Sequence, residues 1–478
     1  MELTPDVRVN LVNIDERYIP HSLETYKEDR DPNLFALYFQ FGRYLLISCS
    51  REGYFLPGIV YWCPDLIGEW YGGHHDDINH QENFWPADLC NMSETLSSFF
   101  DSFEAWMPTA RAVGKYSYGS RGINIHGITP FGMPWHESWW PGGIGWFAQH
   151  YWDHYAFNQD KEWLERQGYP FLKGAALFYL DYLVEDPKTG WLVTYPDWSP
   201  ENQFFREDGT EGRCTIGTTM SIATARETLT HFIEASKVLG VDIEIRAEAE
   251  AALPKLPPFQ INKYGGIQEW LVDFDEKMPG HRHLSSLYGS YPGYQISPLT
   301  TPELAAAVKT SLLRRLEYGE GYGYVGHSRA WMVNQFARLY EPQLAHDQLE
   351  VLLGKCTLPN MFSTHMMGHR TIDRKTHCIE GNFAYTAGLA EMLVQSHLGF
   401  VHLLPSLPAE NWPNGHIKGI KARGGYVVDV EWRNRKLTRA VIRSKLDGTC
   451  PVRYGDKSVD IPVKAGGAIV LDGDLVVK

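Results

Sequence analysis

The sequence predicts a mostly α-helical toroid followed by a small β domain, and three observations carry that prediction. From about residue 95 to 398, apolar residues recur at helical spacing. The helical stretches come in pairs, joined by long loops dense in Gly, Pro, Trp, His and Asp. Beyond about residue 400 the pattern changes to β-branched runs separated by Gly and Asp turns.

Residues 161–184 carry apolar side chains at i, i+3 and i+4, interrupted near Gly168-Tyr169-Pro170, which predicts a short helix and then a longer one. Residues 221–239 and 242–253 read as an antiparallel pair, and 302–316, 330–340, 345–353 and 382–395 continue the series. The loops at 70–86, 126–145, 197–213 and 364–381 are long for a folded domain and too aromatic for disorder, so a functional site is expected where they converge. Residues 424–432, 437–444 and 469–477 predict strands of a small β-sandwich. The division expected is a lead-in over 1–30, a helical domain over 31–400 and the β domain over 401–478, with the junction in Leu403-Leu404-Pro405-Ser406-Leu407-Pro408.

Composition narrows the function. Lys and Arg number 44 against 58 Asp and Glu, a net charge of −14, so a nucleic-acid partner is not expected, because phosphate affinity is built from clustered cations. No apolar run is long enough to span a membrane, and the first residues show no leader-like apolar segment. The seven cysteines are scattered singly without CxxC spacing, which predicts buried thiols rather than a zinc or redox centre. The stretch GEGYGYVG at 319–326 lacks the lysine of a phosphate loop, and GxSxG and HExxH are absent. No cofactor and no metal are expected. Carboxylate chemistry in an aromatic cleft remains, a recipe that suits sugars: aromatics make up 13% of the chain.

Five segments carry candidate chemistry. His74-His75-Asp76-Asp77-Ile78-Asn79-His80-Gln81-Glu82-Asn83 is polar along its length and closed by Phe84-Trp85-Pro86; it reads as a polar site wall, a hydrogen-bonded loop or, with no standard spacing to favour it, a metal site. In Asp197-Trp198-Ser199-Pro200-Glu201-Asn202, Glu201 is either a catalytic carboxylate or part of a helix N-terminus. His377-Cys378-Ile379-Glu380-Gly381-Asn382 leads into an apolar helix, with Asn382 a candidate N-cap and Gly381 suited to a tight turn. His281-Arg282-His283 suits recognition of hydroxyls or carboxylates, or is an exposed loop. Trp135, Trp139, Trp140, Trp146 and Trp152 are stacking surfaces or core.

These segments, in this order, resemble the inverting α-L-fucosidases of glycoside hydrolase family 95. Phe39-Gln40-Phe41-Gly42-Arg43-Tyr44-Leu45-Leu46-Ile47 is similar to the family's FQYGRYLLI, and residues 79–87 to its NLQMNYWPA. Ser199-Pro200-Glu201-Asn202 matches SPEN, His281-Arg282-His283-Leu284-Ser285 resembles HRHIS, and Glu380-Gly381-Asn382-Phe383 resembles DGNF. The resemblance implies an (α/α)6 toroid with a C-terminal β-sandwich and a carbohydrate substrate. It places Glu201 on the family's general acid, Asp77 and Asn79 on the two asparagines that position the attacking water, and Glu380 on the acidic residue that polarises them.

The departures are Asp77 and Glu380 themselves, Ser286 in place of a histidine, and Gly326-His327-Ser328 in place of GWS. The family's large N-terminal β domain is expected to be missing. From this follows an expectation of mechanism: Glu201, held protonated by burial or by Glu380, protonates the leaving oxygen, and Asp77 holds or deprotonates the water with help from Asn79. His75, Trp139, Trp140, Arg282, His283 and His377 are expected to bind the sugar. An L-galactosidase, a polysaccharide lyase using Tyr288, and a non-catalytic glycan-binding descendant are the alternatives.

Overall fold

The computed structural model describes residues 31–53, 75–125, 140–319, 325–365 and 377–478. The helices are α1 (Pro32–Cys49), α2 (Asn79–Leu89), α3 (Ser97–Tyr118), α4 (Gly143–Asn158), α5 (Tyr169–Tyr182), α6 (Thr219–Leu239), α7 (Ile243–Ala252), α8 (Pro302–Tyr318), α9 (Gly326–Arg338), α10 (Pro342–Lys355) and α11 (Glu380–Leu393). Local chemistry fixes several ends. Asp31 accepts from the Asn33 amide ahead of α1, Pro32 opens that helix, and Gly240 closes α6 in the left-handed conformation.

Burial sorts the helices into an inner and an outer layer. Every residue of α2, α9 and α11 is buried, whereas α3, α8 and α10 bury one face only. Polar groups on the inner helices are therefore paired with one another. Asn334 donates to the Ala384 carbonyl (2.9 Å), and Arg338 and Glu391 form a bidentate pair at 2.7 and 3.0 Å. Between α7 and α8 the inward position is taken by a 3-10 turn, Ser285–Leu287, and the residues after it; Trp331 and Gln335 of α9 donate to the Tyr291 carbonyl there. The expected break at Gly168 is bridged: Leu164–Gly168 winds as a π-turn that runs on into α5.

Short strands decorate the loops: the hairpin β1 (Leu183–Glu185) and β2 (Leu192–Thr194), the pair β3 (Asp197–Trp198) and β6 (Cys214–Thr215), and a three-stranded patch of β4 (Phe204–Phe205), β5 (Glu211–Gly212) and β7 (Asp275–Glu276). Beyond α11 lie β8 (Val394–Gln395), β9 (Val401–Leu403), β10 (Gly415–Ala422), β11 (Tyr426–Arg433), β12 (Lys436–Ser444), β13 (Gly448–Tyr454), β14 (Lys457–Val463) and β15 (Ala468–Asp472). They form two four-stranded sheets in the orders β10-β11-β12-β15 and β14-β13-β9-β8. Strands β10, β13 and β14 were not expected from the sequence. Pro451 and Pro462, and Gly419 within a bulge of β10, weaken the alternation that marks a strand.

The strand-rich domain is fastened to the toroid through α4. Arg423 donates twice to Asp153 (3.0 and 2.9 Å), Lys421 donates to Asn158 (2.7 Å), and the Gly424 amide donates to the Ala156 carbonyl (2.7 Å).

Helix α1 approaches α11 closely at Gly42, where an added Cβ would lie 2.2 Å from Thr386 Oγ1 and 2.6 Å from the Asn382 carbonyl oxygen. Gly42→Ala is expected to destabilise the fold by about 2 kcal/mol through overpacking. Gly354, exposed in α10 with open space at its Cβ position, gives the contrast: Gly354→Ala is expected to add about 0.5 kcal/mol by helix propensity. Unfolding midpoints in urea, measured side by side, check both signs.

Candidate active site

The site is built at the end of the toroid where the inner helices begin. Strand β3 ends there in the turn Ser199-Pro200-Glu201-Asn202, and its sequence folds that way because both ends are bonded into the protein. Upstream, the buried Asp197 accepts from the Thr218 amide (2.7 Å) and from Ser221 (2.8 Å). Within the turn, Ser199 and Asn202 donate to the buried Glu269 (2.5 and 3.2 Å), and Ser285 donates to the Pro200 carbonyl. No helix starts at Glu201, so the capping alternative does not apply; the chain goes on into β4. Glu201 is presented on a pinned turn with its side chain 27% exposed.

Around it stand three residues from separate segments. Arg282 donates from Nη2 to Glu201 Oε2, and His283 Nε2 lies 3.6 Å from the same oxygen. Asp77, just ahead of α2, completes a trio in which one donor atom each of Asp77, Glu201 and His283 lie within 4.8 Å of one another. Burial, then the charge of Glu201, raises the Asp77 carboxyl well above its ordinary value. Burial would raise Glu201 too, but Arg282 together with His281, His75 and His365 outweighs it and holds Glu201 below the usual value. The pair therefore shares one proton, and it resides on Asp77. The direction of these shifts is opposite to the sequence expectation, in which Glu201 carried the proton and Asp77 acted on the water. The reason is the guanidinium on Glu201, a contact between residues 81 apart in the chain.

Beside this pair, Asn79 at the start of α2 donates to Glu380 Oε1 at the start of α11, at 2.6 Å. Both residues are buried, and burial pushes the Glu380 carboxyl up to about 7, with hydrogen bonds from Cys378 and Asn79 opposing it. One turn after Asn79, Glu82 is fully buried with neither oxygen hydrogen-bonded; burial, then the charge of Glu380, raises it well above the carboxylate range. It stands where the family motif has methionine. Asn382 is not an N-cap, because α11 begins at Glu380. Its side chain instead accepts from the Ser363 amide and donates to the Met361 carbonyl, both at 2.9 Å, holding the preceding loop. Gly381 serves a close approach rather than a turn: an added Cβ would meet Ser363 Oγ at 2.4 Å and the Gly326 carbonyl carbon at 2.7 Å.

The remaining candidates divide. His75 is half-buried and its charge acts on Glu201. His377 stacks on Phe362 (centroids 4.8 Å apart) on the loop before α11. Trp140 is a core residue, 2% exposed, with its indole donating to Ser221 (2.9 Å), which corrects its expected place on a subsite wall. Trp139 lies outside the described residues, as does Trp135. Tyr288, which a lyase would need as base, is fully buried with its hydroxyl on Glu227. Ser286 hydrogen-bonds Glu269, so this departure supports the Glu201 turn.

The sequence reading missed His365. Its ring lies 5.7 Å from that of His327, which in turn lies 5.7 Å from that of His283. Only the GHS departure hinted at this row. Burial first, then neighbouring cations and imidazoles, depresses all three histidines, so they stand neutral, each a donor and an acceptor suited to hydroxyl groups. Asp77, Glu201 and His283 are grouped closely enough to hold a cation, as are His346, Asp347 and Glu350 on α10, but Arg282 already supplies positive charge to Glu201. The arrangement offers a shared proton, a polarised amide that can hold a water, and neutral partners for hydroxyls.

Comparison with known proteins gives the family. Residues 2–393 match the glycosyl hydrolase family 95 catalytic domain, and residues 395–470 match the C-terminal domain of that family. Alpha-L-fucosidase 2 of Arabidopsis thaliana is 34% identical over 95% of this chain and 54% of its own length. Probable alpha-fucosidase A of Aspergillus niger is 31% identical over 86% of this chain and 54% of its own. The chain thus spans about half the length of the curated relatives it matches. Among solved structures, a putative kojibiose phosphorylase from the human microbiome superposes with a TM-score of 0.57 at 11% identity, covering 91% of this chain and 65% of that one. A glycosidase superposes with a TM-score of 0.52 at 11% identity, covering 76% of this chain and 98% of that one. These two are similar in fold.

The Glu380 shift gives a test independent of activity. Its carboxyl moves from 4.5 to about 7 on folding, so the folded chain keeps a proton that the unfolded chain has released. The stability from this group is complete below pH 4.5 and is lost as pH rises toward 7. Glu380→Gln is expected to flatten the fall of stability across that window by about 1.4 kcal/mol per pH unit. Urea midpoints at half-unit pH steps measure it.

Proposed function

We propose, because the chain belongs to glycoside hydrolase family 95, that it releases a terminal α-L-fucose, or a closely related L-sugar, from a glycan by hydrolysis with inversion. The observation that carries this reading is the pair of separate polar units at one mouth. The Asp77 and Glu201 carboxyls lie within 4.8 Å of each other on one side, and Asn79 donates a hydrogen bond to Glu380 on the other.

An inverting reaction needs an acid on the leaving oxygen and an activated water across the ring, with carboxyls roughly 6.5–9.5 Å apart. Asp77 and Glu201 approach within 4.8 Å, too near for a sugar carbon and a water to lie between them. They act as one acid: Glu201 faces the leaving oxygen, and Asp77 keeps the proton that Glu201 takes up when Arg282 turns to the substrate's hydroxyls. The water belongs to Asn79, whose amide is oriented by Glu380, and Glu380 is the carboxylate that receives the proton. Asp77 is thereby withdrawn as the water's base, since a carboxyl already protonated cannot accept. L-Galactose differs from L-fucose by one hydroxyl, so a single polar contact separates the two substrates.

Glu201→Gln is expected to keep sugar affinity and to lose about 10²–10⁴ in kcat on an aryl α-L-fucoside. Asp77→Asn is expected to lose about tenfold or more in kcat, with the basic limb of its pH profile moved to lower pH, because asparagine cannot hold the proton on which Glu201 draws. A Glu201→Gln protein with full turnover removes the acid assignment. Proton NMR during the first turnovers decides the stereochemistry: β-L-fucose supports inversion, and α-L-fucose overturns it.

A further inference from the structure

A second recess lies on the seam between the toroid and the strand-rich domain, on elements separate from those that carry Glu201 and Glu380. It has a volume of about 440 Å³, within the ~300–1,000 Å³ of small-molecule sites. The last turns of α4, the link between β8 and β9, the β10–β11 turn and the start of β13 form its walls. Four aromatic rings line it: Trp152, Tyr155, Phe400 and Tyr426.

These rings are braced. His231 stacks on Trp152 at 5.1 Å and 17°, and the Tyr426 hydroxyl donates to the Thr449 carbonyl at 3.2 Å. Phe400 rests edge-on against His402 at 5.7 Å, half-buried and outside the hydrophobic core. At Gly399, with φ of +83°, an added Cβ would meet nothing within 4 Å, so the recess stays open beside Phe400.

The polar lining selects the ligand. Among the described lining residues the one charged group is Arg423, which Asp153 clamps at 3.0 and 2.9 Å, and the nearby Arg453 sits over the Phe400 ring at 5.9 Å, so no charged group of the lining itself is free to hold an anion. Ser396 Oγ accepts from the Arg423 amide and keeps its own proton to donate. The Gln159 amide nitrogen is spent on the Ala156 carbonyl (2.9 Å), which leaves its oxygen as an acceptor. Braced aromatic rings beside uncharged donors and acceptors match a pyranose, whose C–H groups pack on rings and whose hydroxyls bond.

We propose that this seam is a second carbohydrate-binding site that holds neutral sugar residues of a glycan chain away from the reaction centre. It rests on the reading of the protein as acting on glycans, and tethering the same chain at two points raises the local concentration of its ends at the catalytic mouth.

The test uses the Glu201→Gln protein in affinity gel electrophoresis with xyloglucan, galactan or mannan in the gel. Retardation by at least one of these is expected, weakened at least tenfold both in Phe400→Ala/Tyr426→Ala and in Thr449→Trp, which fills the recess from its exposed rim without removing a ring. With Glu201 restored, these variants are expected to hydrolyse an aryl α-L-fucoside within twofold of the parent and to lose threefold or more in kcat/KM on a polymeric substrate. Absence of retardation, retardation that survives both groove variants, or equal retardation by polygalacturonate overturns the proposal. The aryl fucoside separates the two readings: groove-dependent retardation by a protein inactive on it supports the seam site and counts against the proposed hydrolysis.

Discussion

The hydrogen bond from Asn79 to Glu380 is the contact on which the rest of the site depends. It joins residues 301 apart in the chain and ties the first turns of two helices that are buried along their whole length. Neither partner is at ease alone. A carboxyl without exposure and an amide in the same dry space each lose water's hydrogen bonds, and together they restore one. Because α2 and α11 are wedged among the other inner helices, the pair cannot drift. Its neighbours inherit its position: Asp77 is two residues upstream of Asn79, and Glu82 lies one turn downstream.

Around that contact, charge is distributed by burial more than by composition. The chain is acidic overall, yet burial raises the carboxyls of Asp77, Glu82 and Glu380 and leaves His283, His327 and His365 neutral. Arg282 is the exception that orders the rest. By pairing with Glu201 it decides which member of the close carboxyl pair keeps the proton, which no count of acidic residues could indicate. At the seam with the strand-rich domain the opposite strategy appears. There Arg423 is paired with Asp153 through two hydrogen bonds, beside the aromatic rings of the recess.

Much of this was legible from the residues, and the failures have physical causes. Helical periodicity gave the helices from residue 161 onward, because a helix buried on one side repeats its apolar face. It did not mark α2, which lies largely within the stretch read as the 70–86 loop, because that helix is polar as well as buried all round and has no apolar stripe to set the phase. Glu201, Asn79 and Glu380 were singled out as polar residues in loops too aromatic to be disordered. The reading of Trp140 as a sugar platform failed because an indole's chemistry is the same in a core and in a cleft; its hydrogen bond to Ser221 is a tertiary fact. His365 was missed because a lone histidine in a loop has no spacing to recognise.

The sequence by itself determined the fold class, the change from helix to strand near residue 400, the family likeness and the carboxylates to be weighed. Each is a property of residue type and of order along the chain. Only the tertiary structure decided which carboxyl is charged, which tryptophan is buried, and that a neutral aromatic recess lies on the seam. Those depend on desolvation and on distances between residues remote in sequence, such as Arg282 with Glu201 and Arg423 with Asp153. Coulomb energy and burial are functions of space, and the linear chain carries neither until it folds.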